Sequence, residues 1–200
     1  TRLKSPFSLC FLMFLSVFLF SCSNDKWEID PSSVELDAPF AILNFVDDIK
    51  NLPDNDSIAL NGLNEKYGEF WVDYSEDILK IGDAGEISTI SELRRFVSHP
   101  DTHETLAAID TTSGDKEYLQ SVGKTLENGF KRFHALLPLE TVPTIIWMPS
   151  GFNFAIYPRE EFVAVGVEWF LGPDHNIVGL LPPDRFPLYQ QLRMHPDLMA

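Results

Sequence analysis

A run of apolar residues from Pro6 to Phe20, closed by Cys22, decides how much of this chain is available to fold. Arg2 and Lys4 precede the run, and no acidic residue occurs before Asp25. As a helix, about 15 residues rise roughly 22 Å, short of a hydrocarbon core of about 30 Å. A segment that is basic at its start and too short to span reads as a signal peptide, not as a membrane helix or part of a core. Folding is left to the residues beyond it.

Leu19-Phe20-Ser21-Cys22 resembles a lipobox, with an apolar residue three places before a cysteine and a small one directly before it. Phe20 is bulkier than the usual occupant of its position. Cleavage between Ser21 and Cys22 leaves the Cys22 thiol as the atom to be acylated. The alternative is an ordinary secretory signal followed by an incidental cysteine. Of the two cysteines, Cys10 departs with the leader. With Cys22 acylated, no thiol remains for a disulfide or a metal, so hydrophobic packing alone must hold the fold. The 16 Phe and four Trp supply the bulk for it. Because the chain begins at Thr1 and not at Met, we expect sequence to precede it.

Charge narrows the partners. Residues 1–21 hold two of the 15 basic residues and none of the 30 acidic ones, so the remainder carries −17 at pH 7. Such a surface disfavours nucleic acid and anionic membrane faces. Attachment to a membrane would have to come from lipid on Cys22.

The pattern after the leader divides the chain into an acidic tether, 22–33, and one α+β domain, 34–200. Val34-Glu35-Leu36 reads as a first strand. Phe40, Leu43, Val46 and Ile49 then recur at helical spacing as far as Pro53. Asp56-Ser57 caps a second helix through Phe70, a short third one covers Ser75 to Ile81, and Ser88 to Val97 a fourth, stopped by Pro100. The clearest helix is Asp115 to Leu137. Leu119, Val122, Leu126, Phe130, Phe133 and Leu137 fall on one face of it, which we expect to be core throughout, and Gly123 and Gly129 weaken it. After Pro138 the period shortens. Val142–Met148, Phe154–Tyr157 and Phe162–Leu171 read as three strands of a small antiparallel meander, and Phe186–Met194 as a further helix.

The search for chemistry is mostly negative. His103-Glu104-Thr105-Leu106-Ala107 begins like the HExxH zinc motif but has Ala107 where the second histidine belongs. His99 and His103 are four apart with Pro100 between them, and His134, His175 and His195 are scattered. Ser150-Gly151 lacks the preceding Gly of a hydrolase elbow. Asp47-Asp48 and Glu160-Glu161 are adjacent pairs whose carboxylates point apart, and we read them as solvated. No catalytic residue, cofactor or metal ligand is assigned. One residue stands out: Glu168, inside the apolar run VAVGVEWFLG, has to face solvent, pair with a cation or serve a site. Asn153, in the turn after the first of the three strands, has a simple explanation in its tolerance of left-handed backbone.

Three segments carry a family resemblance: Val142–Pro158, Phe162–His175 and Phe186–Met199. Ser150, Gly151, Phe152, Asn153, Gly166, Trp169, Leu171, Gly172, Asp174, Pro187, Tyr189, Met194 and Pro196 match the pattern of the gliding motility-associated lipoprotein GldB family of Bacteroidetes, with Glu168 set among them. The resemblance implies a palmitate-bearing outer-membrane lipoprotein that supports gliding motility and its associated secretion machinery through partners in the cell envelope. Family members run further, through a helical C-terminal half, so the domain here is expected to be truncated. Two other readings stay open. One is a degenerate or cryptic zinc-metallopeptidase-like enzyme, which an HExxH further along would favour. The other is a ligand-binding envelope lipoprotein, which exposed Trp side chains would favour.

Overall fold

The structure is a computed structural model and describes residues 28–199. It is an α+β fold with a helical first half, and its sheet has four strands in the order β1-β2-β4-β3. These are β1, Ile42–Asn44; β2, Thr144–Met148; β3, Ile156–Pro158; and β4, Phe162–Gly166. The helices before β2 are α1, Phe45–Lys50; α2, Asp56–Tyr67; α3, Glu69–Asp73; α4, Ile87–Ser98; α5, Pro100–Thr111; and α6, Lys116–Leu136. Two short ones come after β4: α7, Asn176–Leu180, and α8, Leu188–Gln191.

The sheet is not the expected antiparallel meander. β1 and β2 run parallel with Leu43 opposite Ile146, and β2 and β4 run parallel with Ile146 opposite Ala164. Only the β3–β4 hairpin is antiparallel. The physical reason lies in the side chains of β2. Ile146 and Met148 enter one core and Ile145 and Trp147 the other, so the strand is buried on both faces. A strand clad on both faces is apolar without alternation, which is the habit of parallel strands.

The first core is aromatic. Phe45 meets Tyr74 at 4.5 Å and Phe70 at 5.0 Å between ring centroids, edge to face, and Phe70 meets Phe162 of β4 at 5.5 Å. Trp71, fully buried, donates its indole N–H to the Ala84 carbonyl at 3.0 Å. The second core gathers Leu106 and Ile109 of α5 and Leu119 and Val122 of α6 against Trp147 and Val165. Arg159 ties the β3–β4 hairpin to the helical half. Its guanidinium donates to both oxygens of Asp73, at 2.7 and 3.1 Å.

Several boundaries differ from the sequence expectation. Val34-Glu35-Leu36 forms no strand. The first strand lies at Ile42–Asn44, inside what looked like helix, and Asn44 then caps α1 by accepting from the Asp47 N–H. The third helix is α3, and it continues as a single π turn over Tyr74–Ile78. Pro100 both ends α4 and opens α5, a helix the pattern had not revealed. His99 Nδ1 accepts from the Asp101 N–H there, and Pro sits in the first turn, where its missing N–H costs nothing. The last helix shrinks to Leu188–Gln191. On α6 only the first half of the apolar face is core. Leu119 and Val122 are buried, Leu126 and Phe130 half-buried, and Phe133 and Leu137 exposed. The Pro31–Ser33 turn lies along α6, where Arg132 donates to the Ile29 carbonyl.

Candidate functional site

Where β2 ends, the chain reverses so that β4 can slot in beside it. Gly151 and Phe152 both take positive φ, +63° and +56°, to make the reversal. Gly suits that geometry, whereas Phe adopts it at a cost of order 1 kcal/mol or more. Asn153 is not one of the left-handed residues. Its side-chain amide donates to the Ile78 carbonyl at 3.0 Å, and its carbonyl accepts from Arg185 at 2.7 Å. The expected explanation of Asn153 is thereby replaced by a bridge between the helical half and the C-terminal segment.

Glu168 sits beneath this turn. β4 stops at Gly166, and Val167–Phe170 form a 3-10 turn, so Glu168 lies just past the strand and points inward. It is fully buried. Its Oε1 accepts from the Ser150 N–H at 2.6 Å, the Ser150 hydroxyl at 2.5 Å and the Phe152 N–H at 3.0 Å. Solvent exposure is ruled out, and among the described residues no cation forms an ion pair with it. The carboxylate instead replaces the partners that a tight turn leaves missing. Burial pushes the pKa of Glu168 up, and the hydrogen bonds from Ser150 and Phe152 only partly oppose that. The neighbouring Tyr74, also fully buried, has its own pKa raised by burial and then by the Glu168 charge, and its hydroxyl donates to the Pro149 carbonyl at 2.8 Å.

Six of the matched residues, Ser150, Gly151, Phe152, Asn153, Gly166 and Trp169, meet here. A Cβ on Gly166 would stand 2.2 Å from the Phe154 carbonyl oxygen and 3.0 Å from Ser150 Oγ, so this position admits only glycine. Trp169, half-buried, packs against Phe152 and Phe186 at 6.2 and 5.6 Å. Gly172, at φ +106°, donates its N–H to the carbonyl of buried Met194 at 2.8 Å, joining the second segment to the third. Leu171 is buried in the second core. Asp174 and Tyr189 are exposed and stand apart. Ser21 and Cys22 lie outside the described residues.

Above Glu168 opens a cavity of about 470 Å³. The start of α5 forms one wall with Asp101, Thr102, Glu104 and Thr105, and Ile177 and Leu181 form another. Among the described residues no group donates to Glu168 Oε2, the oxygen not taken by the turn. His103 and Glu104 are both exposed on α5. Among the described residues no group of three or more His, Cys, Asp or Glu side chains is placed to hold a metal ion. The adjacent acids divide. Glu160 and Glu161 are exposed as expected, but Asp48 is partly buried, receives the Tyr67 hydroxyl at 2.6 Å and pairs with Lys66. Of the described tryptophans, Trp71 and Trp147 are buried and Trp169 is half-buried. Among the described residues no helix is long and apolar enough to cross a membrane.

The sequence matches the family model described as gliding motility protein GldB over residues 24–200. Neither the curated proteins nor the solved structures give a significant match.

Proposed function

The chain belongs to the gliding motility protein GldB family, and from that premise we propose that it is a non-catalytic lipoprotein of the cell envelope, held in the outer membrane by acyl chains on Cys22, that supports the gliding apparatus and its associated secretion machinery. The observation that carries this reading is an adjacency. The family match begins at residue 24, two residues beyond the cysteine that closes the apolar run. On this reading the leader, the anchoring cysteine with its acidic tether, and the domain follow one another in order along the chain.

Energetics support an anchor of this kind. Each buried methylene contributes about 0.8 kcal/mol and one chain holds only marginally, whereas two or three hold essentially permanently. With −17 on the chain after the leader, electrostatics would oppose an anionic surface, and lipid supplies the attachment. The reach is short. Five residues lie between Cys22 and Glu28, and the six steps span at most about 20 Å of extended chain. The domain is held close to its membrane, where its partners would be other envelope proteins of the gliding and secretion machinery. In a gliding host, deleting the gene should abolish colony spreading. A deletion strain that spreads normally would remove the motility reading.

A further inference from the structure

We propose that the cavity above Glu168 binds a small organic cation, a primary ammonium or guanidinium carried on an apolar stem, with Glu168 Oε2 as the acceptor at its floor. The site is separate from the anchor and does not depend on the motility reading.

Three observations converge. The first is the unmatched oxygen. Glu168 is fully buried, Oε1 is engaged by three donors, and among the described residues nothing donates to Oε2. A buried carboxylate oxygen without a donor is costly, and a ligand that brings one offsets that cost. The second is the charge of the lining. Asp101 and Glu104 stand on the α5 wall, and among the described residues no Lys or Arg lines the cavity. An anionic ligand would meet three acids, Asp101, Glu104 and Glu168, against a single basic group among the described lining residues, the His99 imidazole. The third is the shape and chemistry of the walls. About 470 Å³ lies within the range of small-molecule sites, roughly 300–1,000 Å³. Phe96, Leu106, Ile177 and Leu181 give it an apolar surface on which a hydrocarbon stem can lie. A cation on such a stem would place its charge on Glu168 and its methylenes on these side chains, as Lys and Arg side chains themselves do.

Glu168 Oε2 is itself fully buried, so side chains at the cavity floor must part for a ligand to reach it, while the carboxylate stays held from the turn. Ser150 and Phe152 fix Oε1 from the turn, so the other oxygen is held in place before any ligand arrives. Such preorganisation removes part of the cost of binding.

The test is calorimetric titration of the purified full chain with hexylammonium, 1-hexanol and hexanoate. Hexylammonium should bind saturably, hexanol at least about tenfold more weakly, and hexanoate not at all. Glu168→Gln should abolish the preference for the ammonium. Because that change also disturbs the turn, Glu104→Lys on the exposed rim provides a second arm, and it should weaken hexylammonium several-fold while leaving the thermal midpoint unchanged. Acetyl-Ala-Lys-Ala-amide distinguishes the source. Binding tighter than hexylammonium assigns the site to a side chain of another protein, and weaker binding assigns it to a free amine, and either result supports the cation site. Equal affinity for hexanol and hexylammonium would show only an apolar cavity. Binding of hexanoate would make Glu168 a donor, and no binding of any probe would leave Oε2 to a water. Each of these three results overturns the proposal.

Discussion

Glu168 Oε1 accepts two hydrogen bonds from a single residue, the backbone N–H and the hydroxyl of Ser150, at 2.6 and 2.5 Å. Eighteen positions apart in sequence, these two residues join the end of β2 directly to the turn after β4. Hydrogen bonds to a charged group contribute about 1.5–3 kcal/mol each when buried. Ser150→Ala should therefore lower stability by about that amount in urea unfolding. In a Glu168→Ala background the same change should cost clearly less, since only the hydrogen bond that the Ser150 hydroxyl accepts from the Phe154 N–H at 3.2 Å is then left to lose. Equal costs in both backgrounds would mean that the two side chains are not coupled.

Glu168 also makes a pH prediction. Burial raises its folded pKa above the ordinary 4.5, so the folded state binds its proton more tightly than the unfolded chain does. The resulting stabilisation is fully present below the ordinary value and is lost as pH rises through the folded one. Compared with Glu168→Gln, which cannot titrate, the wild-type protein should lose about 1.4 kcal/mol of relative stability for each pH unit between the two values. Urea midpoints of both proteins from pH 4 to pH 8 measure this. A relative stability of the wild type that rises with pH would contradict it.

Glycine at 166 is required by close approach. Gly166→Ala would place a Cβ against the Phe154 carbonyl, which is backbone and cannot move aside cheaply. We expect a loss of at least about 2 kcal/mol. Gly129 on the exposed side of α6 has nothing within 4 Å of the same atom, and Gly129→Ala should stabilise by up to about 1 kcal/mol. Thermal unfolding of the two variants should move in opposite directions.

Along α6 the packing is graded. Leu119→Ala should cost about 2–4 kcal/mol, because Leu119 is buried against the second core. Phe133→Ala should cost about 1 kcal/mol or less, since Phe133 is 37% exposed. Similar losses at both positions would mean that the far end of the helix is covered.

These contrasts show where the sequence was legible. The helical face of α6 was plain from its spacing, but periodicity records which residues share a face and not how far along the helix a partner extends. The run VPTIIWM marked a buried strand correctly. Its lack of alternation was the sign of a parallel strand clad on both faces, and the short turns around it made a meander look natural instead. Pro100 marks a stop in the sequence pattern and is also a start, because proline fits the first turn of a helix as well as it ends the previous one. Glu168 stands out in the sequence as an acid in an apolar run, yet its partner is not legible there. Two of its three hydrogen bonds come from backbone N–H groups, which carry no signature in the sequence.

The most direct test of a lipid-anchored motility protein is complementation of a deletion strain in a gliding host. Wild-type protein should incorporate labelled palmitate, fractionate with the outer membrane and restore spreading. Cys22→Ala, made at the same level, should incorporate no label, leave the membrane fraction and fail to restore spreading. A Cys22→Ala protein that still carries the label, or an unlabelled one that spreads like wild type, would contradict the account.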